Sequence, residues 1–186
     1  MRLISGSAGG IPLEVPKSVT RPTQDRVKQA IFNMLGELVP EATVLDVFAG
    51  SGALGLECLS RGAASATFIE QDRGACEVIR KNIAKTRLEG ATLRQGDVFK
   101  LLPQLVTQGA TFDLILADPP YAHRPGEEDI ARKLALEPAL QTLLVPGGSL
   151  VLECMVTRQP ATDWGCWELV RDREYGSTRI LWLRKR

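Results

Sequence analysis

The segment Asp118-Pro119-Pro120-Tyr121 contains residue types that could hold a reacting amine. Two adjacent prolines extend the backbone and remove two N–H donors, so the Pro119 carbonyl is left free as an acceptor beside the Asp118 carboxylate. Two acceptors at a fixed separation suit the two hydrogens of an exocyclic nucleobase amine and turn its lone pair toward an electrophile. The Tyr121 ring offers a surface on which a flipped-out base can stack. The segment favours chemistry at a base amine over the simpler interpretation, a Pro-Pro turn with a solvent-facing aspartate.

A glycine-rich segment earlier in the chain could form a second part of such a site. Gly50, Gly52 and Gly55 match the pattern G-x-G-x-x-G, with Ser51 inside it, and they stand between a predicted strand and a predicted helix. Glycines at these positions let the backbone approach a ligand and turn sharply into the helix. Two ligands remain open at this point. One is a dinucleotide with its pyrophosphate at the helix N-terminus, and the other is S-adenosylmethionine (SAM).

Three carboxylates at predicted strand ends favour SAM. Asp46, four residues before Gly50, would oppose a phosphate but suits a ligand that carries an ammonium and a sulfonium. Glu70 ends the next strand, where either ligand could use it to accept hydrogen bonds from ribose hydroxyls. Asp97 follows the third strand and is placed to meet an adenine amino group. An ordinary helix cap is the simpler interpretation for any one of them, but parallel strand ends meet in one crevice, so the three together predict a cofactor site.

The elements that must position these residues alternate between strands and helices. The apolar runs predict strands at Thr43–Phe48, Ala66–Glu70, Ala91–Arg94, Phe112–Ala117 and Ser149–Cys154. Helical spacing predicts helices at 24–38, from the glycine segment to Arg61, at 72–88, at Val98–Leu105 and at Glu127–Leu144. This alternation predicts an α/β fold, a doubly wound and mostly parallel Rossmann-like sheet.

Both ends of the chain differ from this alternation. Trp167–Val170 and Thr178–Leu183 flank a glycine turn and predict an antiparallel C-terminal hairpin. Residues 2–6 and 11–15 flank Gly9-Gly10 and predict an N-terminal β-hairpin. With 186 residues, we expect a single domain, in which 1–20 form the hairpin arm and its linker and 21–186 form a helix and the core.

Charge is balanced overall but unevenly distributed along the chain. Lys and Arg total 23 and Asp and Glu 22, which argues against a strongly basic nucleic-acid-binding protein. Residues 1–40 nevertheless carry five basic and three acidic side chains, and 171–186 carry six basic and two acidic, so the stretch between them is acidic. A bound polyanion should contact the ends. The candidate phosphate contacts are Arg2, Lys17, Arg21, Arg26 and Lys28.

Several classes of chemistry have little support in the composition. The four cysteines are scattered without a CxxC pair and the chain has one histidine, His123, so we expect no metal site and assign His123 no role. A Ser-His-Asp mechanism is equally disfavoured. Unpaired cysteines, the absence of a signal-like start and the absence of a long apolar run predict a cytoplasmic protein that does not bind membranes.

Five segments together resemble a known family. They are the opening MRLISGSAGGIPLEVP, the stretch RPTQDRVKQAIFNML (Arg21–Leu35), VLDVFAGSGALG, LSRGA and DPPY. The chain resembles SAM-dependent methyltransferases that act on exocyclic amines, and more narrowly the 16S ribosomal RNA guanine-N2 methyltransferase family called RsmD.

The resemblance implies methyl transfer from SAM to N2 of one guanine in 16S rRNA, within an assembled or assembling 30S subunit, by a protein that we expect to be a monomer. It also implies that Gly50–Gly55 contact the methionine part, Glu70 the ribose, Asp97 the adenine, and Asp118–Tyr121 the base.

Other functions remain open at this stage. The DPPY motif is shared with DNA adenine methyltransferases, so adenine N6 or a protein glutamine is an alternative substrate. A nicotinamide-dependent oxidoreductase could use the same glycine pattern but offers no use for DPPY. A non-catalytic RNA-binding assembly factor could keep the scaffold without turnover.

Overall fold

A central sheet carries the fold in the computed structural model, which describes residues 1–16, 25–121, 127–156 and 164–186. The strands are β1 (Thr43–Val47), β2 (Ser65–Glu70), β3 (Ala91–Gln95), β4 (Phe112–Ala117), β5 (Leu144–Met155), β6 (Trp167–Tyr175) and β7 (Thr178–Lys185). Their order in the sheet is β3-β2-β1-β4-β5-β7-β6. The first five strands pair in parallel, and β7 and β6 join them antiparallel. This arrangement confirms the predicted mostly parallel sheet with an antiparallel C-terminal hairpin.

Helices cover both faces of the sheet. They are α1 (Asp25–Leu35), α2 (Ala53–Ser60), α3 (Arg73–Thr86), α4 (Val98–Thr107), α5 (Ile130–Ala135) and α6 (Pro138–Leu143). Apolar residues of α1, α2 and α3 form one buried cluster with one face of the strands. Residues of α4, α5 and α6 form a second cluster on the opposite face. Because both faces are buried, the central strands are nearly continuous apolar runs, and these are the runs from which the sheet was predicted.

Two of the predicted helices have different bounds. The helix expected over 24–38 is α1 followed by a single 3-10 turn at Gly36–Leu38. The helix expected over Glu127–Leu144 is two short helices, α5 and α6. The break falls at Pro138, which cannot donate to a preceding helical turn and disfavours helical geometry at Glu137. The Glu137 carboxylate then accepts the Ala139 N–H and caps α6.

The N-terminal segment pairs antiparallel with itself over a short stretch around the predicted glycine turn. The Leu3 N–H donates to the Ile11 carbonyl at 3.0 Å and the Leu13 N–H to the Met1 carbonyl at 3.1 Å, with a β-bridge between Arg2 and Pro12. The segment also lies against the C-terminal end of α2. A side chain at Gly6 would meet the Ser60 carbonyl oxygen at 1.7 Å, so the backbones touch there. The Ser60 hydroxyl accepts the Ala8 N–H at 3.0 Å. These contacts hold the paired N-terminal segment against α2.

A buried carboxylate anchors this segment. Glu57 lies in α2 and is fully buried, and its two oxygens accept the N–H groups of Ile4 at 2.7 Å and Ser5 at 3.0 Å. Lys28 of α1 is also fully buried, with its ammonium 3.4 Å from Glu57. Burial lowers the Lys28 pKa, and the Glu57 charge opposes that change. Lys28 was predicted to contact RNA phosphate; this prediction is wrong for the structure described, because the ammonium is enclosed and also donates to the Arg2 carbonyl.

Asn82 of α3 connects the N-terminal segment to the glycine segment. Its side chain is fully buried and exchanges two hydrogen bonds with the Glu14 backbone, accepting from N–H at 2.9 Å and donating to the carbonyl at 3.0 Å. The same amide group donates to the Ser51 carbonyl at 2.9 Å. One side chain therefore holds both segments in place.

Two features are absent from the described ranges. None of their helices is long and apolar enough to cross a membrane. Their His, Cys, Asp and Glu side chains include no group of three or more arranged to hold a metal ion.

Replacing Glu57 should strongly destabilise the fold. Glu57→Ala leaves the Lys28 ammonium buried without its counter-charge and two backbone N–H groups without an acceptor. We expect a loss of about 3–5 kcal/mol in the free energy of unfolding, measured by urea denaturation. The matched control is Glu77→Ala in α3, which breaks an exposed ion pair to Arg80 and should change the free energy by about 1 kcal/mol or less. Equal losses in the two variants would contradict the anchoring role.

Candidate active site

The predicted site residues lie along one edge of the sheet. Strand register pairs Val47 with both Ile69 and Ala117, and Ala117 with Leu152. The residues that follow each of these in sequence therefore stand at one level on four neighbouring strands. They are Phe48, Glu70, Asp118 and Glu153. With Asp97 after β3, the sheet order places the carboxyl ends of five parallel strands in a single row.

The glycine segment, Gly50–Gly55, contains the turn from β1 into α2 at this edge of the sheet. Gly52 caps α2 in the left-handed conformation, with φ of 76°, which disfavours a side chain at that position. Gly55 is needed for a different reason: a Cβ there would lie 2.4 Å from the Phe68 ring. Gly55 therefore permits close packing of α2 on β2 and is not itself evidence of a ligand contact.

Asp46 of β1 contacts the glycine segment. Its side chain is 2% exposed, and one carboxylate oxygen accepts the Gly55 N–H at 2.9 Å. Burial raises the pKa of Asp46 to about 8; the Gly55 hydrogen bond works against this rise, and the nearby Asp118 and Glu70 charges add to it. A buried carboxyl with this pKa would gain a full negative charge beside a cation. Direct contact between Asp46 and a cofactor stays a prediction.

Glu70 and Asp97 each accept backbone N–H groups as well. The Glu70 oxygens accept from Gly50 and from Asp72, both at 2.8 Å, and its side chain remains partly exposed. Asp97 caps α4 by accepting the Lys100 N–H at 3.0 Å. Each carboxylate oxygen has further lone pairs, so these hydrogen bonds fix the side chains and leave acceptor capacity for a ligand.

The second half of the row is formed by Asp118–Tyr121 after β4. Asp118 is partly exposed, Pro119 is buried and Pro120 is exposed. The Tyr121 hydroxyl donates to Glu153 at 2.6 Å and lies 3.3 Å from the Thr178 hydroxyl oxygen. Burial and the Glu153 carboxyl raise the Tyr121 pKa, so the phenol stays neutral. The ring is therefore held at its polar end, as a stacking surface requires.

Sequence reasoning missed two buried polar residues at this site. Glu153 had a signal, a single charge inside the apolar run SLVLECM. Its side chain is 6% exposed, and burial raises its pKa while the Tyr121 hydrogen bond opposes the rise. Asn82, which holds the Ser51 carbonyl, had no such signal because it lies in a polar helix.

Of the predicted RNA contacts, Arg2 and Arg26 are exposed. Arg2 lies 3.9 Å from Asp25 and lines an open cavity of about 410 Å³ with Gly10 and Gln29. Lys17 and Arg21 fall outside the described residues, as does His123.

The chain is similar to known proteins over nearly its whole length. A family model described as Conserved hypothetical protein 95 matches residues 1–184. Ribosomal RNA small subunit methyltransferase D of Escherichia coli K12 is 41% identical over 183 residues, which cover 95% of this chain and 85% of that protein.

Solved structures agree with the fold. A hypothetical protein of Thermus thermophilus is 33% identical, with a TM-score of 0.82 and 98% of each chain covered. A more distant protein, SMU.776, was solved in complex with S-adenosylhomocysteine (SAH). It shares the fold at 15% identity and a TM-score of 0.68, over 82% of this chain and 48% of its own. The resemblance found in the motifs is confirmed, and the chain belongs to the family described as Conserved hypothetical protein 95, the RsmD family.

Proposed function

We propose that this protein transfers a methyl group from SAM to the exocyclic N2 of a guanine in 16S ribosomal RNA. The observation that carries the proposal is the row of strand ends, in which Asp118 stands beside the end of β1, where the glycine segment begins. A cofactor on the glycine segment and an amine on Asp118 would then face each other. The name of the E. coli relative and the family membership support ribosomal RNA as the substrate.

The residues present fit SAM better than a dinucleotide. Asp46, Glu70 and Asp118 are close together: the pKa of Asp46 is raised mainly by burial, and the charges of Asp118 and Glu70 add to that rise. Such an edge repels a pyrophosphate and attracts a ligand with an ammonium and a sulfonium. Glu70 would hold the ribose hydroxyls through its remaining lone pairs, and Asp97 would accept from the adenine amine. When bound, SAM supplies a methyl group on a positively charged sulfur, already activated for transfer.

The chain's own residues would then align and orient the amine. Asp118 and the Pro119 carbonyl would accept the two N2 hydrogens, which would turn the nitrogen lone pair toward the methyl carbon. The bond from N2 to that carbon would form as the carbon–sulfur bond breaks and leaves its electron pair on sulfur. N2 would then carry an extra proton, which Asp118 or water would accept. Most of the rate enhancement would come from alignment, since the donor needs no further activation.

RNA would reach this edge from the side of the N-terminal segment. Arg2 and Arg26 are exposed there and supply phosphate contacts, and Lys17 and Arg21 remain candidates by sequence. We further propose that the protein acts as a monomer, because the whole row of site residues comes from one chain. We also propose that its substrate is the small subunit and that it acts in the cytoplasm.

A direct assay tests the function. Purified protein with labelled SAM should methylate 30S particles from cells that lack it, and mass mapping of the rRNA should find one N2-methylguanosine. Naked DNA and bulk protein should remain unlabelled. Asp118→Ala should lower methylation by about 100-fold or more while SAM binding remains. The control is Glu168→Ala, an exposed position on β6 at the far edge of the sheet. A labelled adenine in DNA, or full turnover by Asp118→Ala, would refute the proposal.

The role of Glu70 is tested by cofactor affinity. Glu70→Ala removes a charged acceptor of the ribose hydroxyls and leaves the Gly50 N–H without its acceptor. SAM binding should therefore become less favourable by about 1–3 kcal/mol. Isothermal titration calorimetry measures this change. Glu77→Ala, an exposed carboxylate on the neighbouring helix α3, should bind SAM as the wild type does. A Glu70 variant with unchanged affinity would exclude the ribose contact.

The exposed arginines are tested by the salt dependence of RNA binding. If Arg2 and Arg26 each neutralise one phosphate, Arg2→Gln and Arg26→Gln should each reduce the slope of log affinity against log salt by about 0.7–0.9. Arg80→Gln in α3, which removes an exposed arginine outside the proposed RNA surface, is the control. Slopes identical to the control would place the RNA elsewhere on the protein.

A further inference from the structure

Glu153 on β5 has a buried oxygen that lacks a partner. One of its carboxyl oxygens accepts the Tyr121 hydroxyl at 2.6 Å, but the other, Oε2, is buried and forms no hydrogen bond within the part of the chain that the structure describes. Leaving a buried acceptor unpaired is unfavourable, and such groups are rare in folded proteins. An unpaired oxygen beside a proposed substrate site points to a donor that arrives with the substrate.

Glu153 is the neighbour of Asp118 in the sheet. Strands β4 and β5 are parallel and pair Leu116 with Val151 and Ala117 with Leu152. Leu116 and Val151 pack into the same core cluster, so Asp118 and Glu153, two residues further along, leave the strands on that same face. Neighbouring strands are about 4.8 Å apart. The site therefore contains a second acceptor immediately beside the one that would hold the amine.

Two acceptors side by side distinguish guanine from the other bases that carry an amine. In guanine one of the two ring positions next to the exocyclic amine is N1–H, a donor, and the other, N3, is an acceptor. In adenine and in cytosine the ring nitrogen next to the amine is an acceptor. An acceptor beside Asp118 therefore pairs with guanine N1–H and repels the corresponding lone pair of adenine or cytosine.

We propose that Glu153 accepts the N1–H of the target guanine and thereby selects guanine over the other amine-bearing bases. The inference rests on the proposed function and adds the residue that determines base identity. DPPY alone does not determine it, since adenine methyltransferases share that motif.

Tyr121 provides a route by which Glu153 becomes available. Its hydroxyl lies between Glu153 and the Thr178 hydroxyl, 3.3 Å away, so rotation of its O–H bond toward Thr178 releases the second Glu153 oxygen. The aromatic ring need not move in this exchange. In either protonation state the Glu153 carboxyl keeps an oxygen that can accept N1–H.

The test combines an altered residue with an altered base. Small subunits are reconstituted with 16S rRNA that carries either guanosine or 2-aminopurine riboside at the mapped target. 2-Aminopurine keeps the amine but has an acceptor at N1. Wild-type protein should prefer guanine by about 10- to 100-fold in kcat/KM, the range for a lost hydrogen bond to a charged group. Glu153→Met, of similar volume but with no acceptor, should bring the two substrates to within about threefold of each other.

Control variants separate base recognition from a structural role. Glu153→Gln retains an acceptor oxygen and should keep a preference for guanine, which also covers the case in which Glu153→Met fails to fold. Tyr121→Phe removes the hydroxyl but not the carboxyl, so its preference should persist whatever its rate.

Two results would overturn the inference: a wild-type enzyme with equal kcat/KM for guanosine and 2-aminopurine substrates, or a folded Glu153→Met variant that loses rate on both substrates equally. A wild-type enzyme that methylates no guanine at all would instead refute the proposed function itself.

Discussion

Two hydrogen bonds from backbone amides to strand-end carboxylates hold the glycine segment, and the site depends on them. Glu70 accepts the Gly50 N–H at 2.8 Å and Asp46 accepts the Gly55 N–H at 2.9 Å. They fix both ends of the turn between β1 and α2. Both acceptors are carboxyl groups at one edge of the sheet, and burial raises the pKa of Asp46 to about 8, so that a cation bound beside it would favour its charged form. The same residues thus give the turn its shape and favour a cationic ligand there.

The glycine segment is also held from the side of the N-terminus. Asn82 joins the Ser51 carbonyl to the backbone of Glu14, while Glu57 and Lys28 form a buried pair that fixes the first residues on α2. A surface that would contact RNA and a turn that would contact the cofactor therefore share buried polar anchors. A substitution in either anchor should affect both.

Much of the fold could be predicted because local pattern and final structure agree. The strands of the parallel sheet are apolar runs, and the site residues follow them at positions where parallel strand ends must meet. The errors arise where tertiary contacts decide. Lys28 reads as one of several basic residues near the N-terminus, and only its position against Glu57 shows that it is buried. The N-terminal pairing was inferred from short apolar stretches around Gly9-Gly10, but its contact with Ser60 of α2 has no signal in the sequence.

Glu153 illustrates a different limit. A charged residue inside an apolar strand is visible in sequence, but its meaning depends on which strand lies beside it. Only the β4–β5 register places it next to Asp118 and in contact with Tyr121. Motifs that are contiguous in sequence can be recognised in advance, whereas groups assembled from separate strands need the topology.

A crystal structure of the protein with SAH would test most directly whether cofactor and substrate base share one edge of the sheet. We expect the following arrangement: ribose hydroxyls within hydrogen-bond distance of Glu70, with the sulfur facing the Pro119 carbonyl and the Asp118 carboxylate. SAH bound away from the glycine segment, or a Pro119 carbonyl separated from the sulfur by protein, would contradict it.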